Sequence, residues 1–285
     1  MNFNMFSVVV GNNSCICKCP FCVSCEEITP LARDYNYRNL DVAVKLATSS
    51  NIQTVCITSY GEPLLFKDEI SSVLPHLSDF PFIELQTNGL LLQNKEEVLP
   101  YLKSWYELGL THIALSTVHF KRKKNDEIYC KGKNKYPDLK ETIDFLHKIG
   151  FSIRLVCICF NDFIDNGTLA IDYINFANKL GAEQITLRPL NLEYRREDAR
   201  IFTHQNHLSD KQKQSIIDAV AKESTLLLTL DNIGKVYDFN GQNVMISFPL
   251  TKDTRSTDPN NTRNLIYFPD GHIRYEWEKT GGILL

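Results

Sequence analysis

The run Phe6-Ser7-Val8-Val9-Val10-Gly11-Asn12-Asn13-Ser14-Cys15-Ile16-Cys17-Lys18-Cys19-Pro20-Phe21-Cys22 carries a short apolar stretch straight into a loop crowded with thiols. Phe6–Val10 has the make-up of a buried strand, and Gly11 ends it. Cys15, Cys19 and Cys22 stand at spacings of four and three, so one small inorganic centre lies within reach of all three. Iron–sulfur clusters are held by Cys thiolates in short runs of this kind, and a cluster with three protein ligands keeps one iron open for another molecule. Cys19, Cys22 and Cys25 make a second evenly spaced set. Zinc is the competing metal, but a structural zinc site draws its ligands from two separate knuckles. Downstream of this segment no further Cys-x-x-Cys and no His pair at zinc-finger spacing follows. Simple packing does not account for the segment either, because its cysteines are interleaved with Asn, Ser and Lys rather than set on an apolar face. Cys17 and Cys25 are left as spares.

Working outward, 285 residues with 43% hydrophobic content suffice for one large domain, or one domain with an appendage. A net charge of −3 does not favour nucleic acid as the main partner. The nine cysteines are odd in number and clustered rather than dispersed. No charged segment followed by an apolar core and a cleavage site opens the chain, and no run approaches membrane-spanning length. The expectation is a cytoplasmic protein in a reducing, low-oxygen setting, with no membrane contact.

Apolar runs alternate with longer amphipathic ones, the pattern of a parallel sheet wrapped by helices. Strands are expected at Phe6–Val10, Thr54–Thr58, Phe82–Gln86, His112–Thr117, Ile153–Phe160 and Gln184–Leu187. Helices are expected from Leu40–Ala47 and at Asp68–His76, Lys95–Leu108, Asp138–Lys148 and Leu169–Leu180. The fold class is therefore α/β, a partial (β/α)6 TIM-like barrel over residues 1–190, short of the eight units of a closed barrel. Residues 191–285 read as a C-terminal α+β extension that caps the barrel over the substrate. It has a helix near Ser209–Lys222, β-like runs at Leu226–Leu230 and Val244–Phe248, and a loop at Thr251–Thr262 expected to act as a connection or lid. It ends in a hairpin, Asn264–Trp277, turning on Asp270-Gly271.

Chemistry in such barrels gathers where strands end. The cysteine loop leaves the first strand, Ser59-Tyr60-Gly61-Glu62-Pro63 leaves the second, and Thr87-Asn88-Gly89 leaves the third. The Cys-x3-Cys-x2-Cys spacing, with Phe21 before its last Cys, resembles the signature of radical S-adenosylmethionine (SAM) enzymes. The resemblance implies a [4Fe–4S] cluster on Cys15, Cys19 and Cys22. It implies SAM chelated to the open iron, reductive cleavage to a 5′-deoxyadenosyl radical, and abstraction of a hydrogen atom from a substrate. Tyr60, Gly61, Glu62 and Pro63 are similar to the family's Gly-Gly-Glu-Pro motif, which binds the amino group of SAM, with Tyr60 in place of the first Gly. Thr87 and Asn88 match its Thr-Asn-Gly segment. A low-potential electron donor, a flavodoxin or ferredoxin, is the implied protein partner.

Ser116 near the end of the fourth strand resembles a serine that touches SAM in relatives. Arg154 and Arg188 stand where relatives pair Lys or Arg with the SAM carboxylate, a task suited to the guanidinium fork. Asn161 falls on the same rim. Cys157 and Cys159 share one face of the fifth strand; were that face the lumen, either thiol could return a hydrogen atom to a substrate radical. Cys130, in the basic stretch Lys121–Lys135, is a second candidate donor. That stretch would draw an anionic substrate, if it is more than solvated surface. No Cys follows Cys159, so there is no Cys-rich extension for further clusters. A peptide and a nucleotide-like or sugar metabolite both remain open as substrate. The alternatives are a glycyl-radical activating enzyme, weakened by Ser116-Thr117-Val118-His119 in place of an Asp-x-Lys pattern, and a non-catalytic iron–sulfur or zinc scaffold.

Overall fold

The computed structural model describes residues 2–22, 37, 39–132, 135–190, 196–230, 234–247, 261–275, 277 and 283–284. Cys25 and residues 251–260 of the expected lid lie outside the described residues. The chain begins with β1 (Asn2–Val9), then α1 (Leu40–Ser49), β2 (Thr54–Thr58), α2 (Lys67–Val73), β3 (Phe82–Thr87) and α3 (Lys95–Glu107). It continues through β4 (Leu110–Thr117), α4 (Arg122–Asn125), α5 (Leu139–His147), β5 (Ser152–Cys159), α6 (Gly167–Leu180) and β6 (Gln184–Pro189). Then come α7 (Glu197–Asn206), α8 (Asp210–Lys222), β7 (Thr225–Leu230), β8 (Gly234–Phe239), β9 (Gln242–Ser247), β10 (Asn261–Tyr267) and β11 (Ile273–Arg274). The six expected β/α units are present, with ends within a few residues of those read from the pattern.

All eleven strands form one sheet in the order β11-β10-β1-β2-β3-β4-β5-β6-β9-β8-β7. The parallel run does not stop at six strands. β10 pairs parallel with β1 (Phe6 opposite Leu265), and β9 pairs parallel with β6 (Leu187 opposite Ile246). The region after residue 190 thus lengthens the barrel wall at both ends. The Asp270-Gly271 turn does form, bringing β11 back antiparallel to β10, but β10 is a wall strand rather than a cap. Asn264 through Phe268 are all buried, as a strand covered on both faces must be.

The two faces of the wall differ in chemistry. On the outer face, Phe6, Val8, Ile57, Ile83, Leu85, Leu115 and Leu155 are buried against the helical layer. α1 shows the matching stripe, burying Leu40, Ala43, Val44 and Ala47. The register places Ser7, Cys56, Glu84, His112, Ala114, Ser116, Arg154, Thr186 and Arg188 on the opposite, inner face.

The edges differ as well. β11 has two residues, whereas β7 ends the sheet with Leu226, Leu227 and Leu228 between 50% and 58% exposed. Among the described residues, no helix is long and apolar enough to cross a membrane.

Candidate functional site

The cysteine loop is held by the exits of the neighbouring strands. Gly11 turns the chain out of β1 with φ +68°, its N–H donates to Glu69 Oε2 at 2.5 Å, and a Cβ there would lie 2.1 Å from the Phe66 ring. Ser59 Oγ donates to the Asn12 carbonyl (3.1 Å) and accepts from Gly61 N–H (3.0 Å). Glu62 N–H donates to the Ser14 carbonyl at 2.9 Å. Gly61 has no substitute, because a Cβ on it would sit 1.8 Å from Ser14 O.

Glu62 is 1% exposed, and its carboxylate joins two loops. Oε1 accepts from Leu64 N–H (3.1 Å) and the Thr87 hydroxyl (2.5 Å), and Oε2 accepts from Asn88 N–H (2.9 Å). Burial raises its pKa above the usual carboxylate value, and the three donors pull it back. Asn88 completes the chain of contacts by donating its side-chain N–H to Cys15 Sγ at 3.8 Å. Cys17 N–H reaches the same sulfur at 3.3 Å.

Cys15 is exposed, and Cys19 and Cys22 are half-buried. Cys17 points inward; hydrogen bonds with Cys15 and Cys19, then burial, raise its pKa. Phe21 packs edge-on against Phe160 at the end of β5 (5.6 Å) and against Phe202 of α7 (6.2 Å). Among the described residues, no group of three or more His, Cys, Asp or Glu is arranged for a single metal ion. A cluster asks something different, since each ligating sulfur takes its own iron. Three thiols on one loop, one of them met by two N–H donors, fit that demand.

Tyr60 turns away from the loop. Its hydroxyl donates to the Trp277 carbonyl, and its ring lies 5.8 Å from Phe268 and 5.9 Å from Trp277, so it anchors the C-terminal segment. Pro63 opens a short 3-10 turn capped by Glu62.

Two of the later candidates, Arg154 and Asn161, are engaged elsewhere. Arg154 Nη2 pairs with the buried Glu84 carboxylate two strands away. Its Nε is buried with no hydrogen-bond partner among the described residues. Asn161 Oδ1 accepts from Gln212 of α8 at 2.9 Å, while its N–H donates to the Asn206 carbonyl. The Ser116 carbonyl accepts from the Tyr136 hydroxyl at 2.6 Å. Arg188 faces inward, close enough to Cys56 to lower its pKa against the larger upward push of burial.

Cys157 shares the outer face with Thr117, whose hydroxyl meets Tyr173 of α6 at 2.6 Å. Cys157 and Cys159 therefore lie against the helical layer and not in the lumen, which removes the condition attached to them as hydrogen donors. Cys130 is buried too, its thiol pushed up to about 11 by burial and then Asp126.

The expected basic loop is instead α4 running into a π-helical turn, Asp126–Cys130. Asn125 holds it, accepting from Val118 N–H (2.8 Å) and donating to the His119 carbonyl (2.6 Å). This turn buries Tyr129, 5.4 Å from Tyr136, with Cys19 among the groups that raise its pKa after burial. Neither tyrosine was singled out from sequence; a π-turn leaves only a run of ordinary helix formers to read. Ser14 and Ser59 were missed because their contacts link segments about fifty residues apart.

No protein-family model matches this chain, and no curated protein matches it in sequence. Solved structures do share its fold. The structure of anSMEcpe with AdoMet bound superposes with a TM-score of 0.60 over 96% of this chain and 75% of that one, at 13% identity. Streptococcus suis SuiB, bound to its precursor peptide SuiA, gives 0.59 over 97% of this chain and 60% of SuiB, at 12% identity. A radical SAM methyltransferase from Sphaerobacter thermophilus gives 0.57 over 87% and 67%, at 13% identity. The chain thus spans about 60% of SuiB's length. At these identities the common property is the architecture, a mixed α/β fold with a partial barrel and further helices.

Proposed function

We propose that this chain is a radical SAM enzyme, with a [4Fe–4S] cluster on Cys15, Cys19 and Cys22 and SAM bound beside it against Gly61, Glu62, Pro63, Thr87 and Asn88. One observation carries the reading: the exits of three successive strands are knitted through Ser14, Glu62 and Asn88 onto Cys15. A cluster held there would supply the chemistry of one-electron reduction beside SAM.

The chain's own residues supply placement. Gly61 admits the cysteine loop at backbone distance, and Glu62 fixes the second and third loops to each other. Phe21 seals the loop against β5 and α7. Arg188 and Ser116 are the remaining candidates for the polar end of SAM, while Arg154 and Asn161 hold the walls. Cys130, Cys157 and Cys159 are packing groups in this reading.

A peptide is the favoured substrate, supported by the overlap of nearly the whole chain with SuiB, which was solved with a peptide bound. The Lys-rich face of α4 suits an anionic substrate. A low-potential flavodoxin or ferredoxin supplies the electron.

The test is anaerobic: reconstitution with iron and sulfide, then dithionite and SAM, with 5′-deoxyadenosine measured for wild type and Cys19→Ala. Product from the wild type alone is expected. A wild type that takes up no cluster and binds no SAM overturns the reading.

A further inference from the structure

The donor aimed at Cys15 implies a role for Asn88 beyond shaping a turn, and the inference rests on the cluster reading above. We propose that Asn88 is a positioning residue that raises the electron affinity of the cluster by donating its side-chain N–H to Cys15 Sγ.

The direction of the amide is fixed by the structure. Which end of an Asn is nitrogen is decided by its partners. Asn88 Oδ1 accepts Leu90 N–H at 2.9 Å, so the oxygen end is taken and the NH2 end must face the sulfur. The backbone is held equally firmly. Asn88 N–H is bound by Glu62 Oε2 at 2.9 Å, and the next N–H, of Gly89, by Thr87 Oγ1 at 3.0 Å. With 8% of its surface exposed, Asn88 has little water to bond instead.

Two N–H dipoles therefore converge on one sulfur, from the Cys17 main chain and the Asn88 side chain. An added electron on a cluster increases the negative charge on its sulfur ligands. Hydrogen bonds to the sulfurs favour that reduced state and move the potential upward. Of these two, the Asn88 bond can be removed by side-chain substitution, which makes its share measurable.

The experiment is an EPR-monitored redox titration of the reconstituted cluster in wild type, Asn88→Asp and Asn88→Ala, with iron content and far-UV CD measured alongside. Asp keeps an acceptor for Leu90 N–H but cannot donate to the sulfur; Ala loses both contacts. The expected result is a lower midpoint in both variants. The reduced-to-oxidised ratio at fixed potential falls roughly tenfold, which corresponds to about 59 mV for one electron. An unshifted midpoint in Asn88→Asp, at wild-type iron content, overturns the proposal, as does a shift confined to Asn88→Ala. A wild type that takes up no cluster overturns the underlying reading instead, and its iron content distinguishes that failure from the others.

Discussion

Leaving β1, β2 and β3, the polar groups point at one another: Ser14 to Glu62, Glu62 to Thr87 and Asn88, Asn88 to Cys15. In and after β4 and β5, they are taken up by neighbours. The Ser116 carbonyl receives Tyr136, Asn161 holds Gln212, and Arg154 reaches sideways to Glu84. The first half of the wall places a loop, and the second half holds the wall itself together. A polar residue at a strand end is thus informative when its partners come from adjacent exits, and says little when it stands alone.

The largest expected effect tests the first half. In Gly61→Ala the new Cβ meets backbone, Ser14 O at 1.8 Å, so neither side can yield by changing rotamer. Displacing the loop should cost about 3 kcal/mol, or roughly a hundredfold in the docked population. Iron content after reconstitution should collapse while far-UV CD holds; full iron uptake would erase the contrast between the halves.

Arg154→Ala tests the second half, because it leaves Glu84 buried without its cation. Breaking a fully buried pair costs about 3–5 kcal/mol, and the 18% exposure of the Arg154 side chain reduces this to roughly 2 kcal/mol. Denaturant midpoints should fall with iron content unchanged. A loss of iron at intact stability would move Arg154 into the first group.

The smallest effect concerns His119, just beyond β4. Burial, and then Lys121 and Lys124, lower its pKa to about 4, and its Nδ1 accepts Lys121 N–H at 3.0 Å, which requires the neutral ring. The unfolded chain, with an ordinary His near 6.5, takes up the proton first. The stability is therefore present above about 6.5 and lost as pH falls toward about 4, with roughly 1 kcal/mol going between about 6.5 and 5.5. His119→Gln should flatten the denaturation midpoint over that interval, and an unchanged slope would show that the group is not shielded.

The same contrast explains what could be read before the fold was known. The alternation of runs placed β1 to β6 because each buries residues close in sequence, and the three motifs were legible because each is contiguous. β10 was read as half of a hairpin, which it is, but pairing with β1 depends on an edge created elsewhere in the chain. β8 and α7 were missed for a similar reason: Lys235 and Asp238 break the apolar run of one, and the other buries only Ala199 and Thr203. The two faces of β5 could not be told apart from sequence, since a parallel strand is covered on both sides. It took Tyr173 against Thr117 to show that the cysteines face outward.

The seat of β10 beside β1 also bears on how the protein is made. About 250 residues separate the two strands, and at about 5–20 residues per second the later one leaves the ribosome tens of seconds after the earlier. Throughout that interval the strand that leads into the cysteine loop has an open edge, and its thiols hang from an unfinished wall. Under the cluster reading proposed above, a nascent chain stalled before that point would carry its three candidate ligands on an incomplete wall.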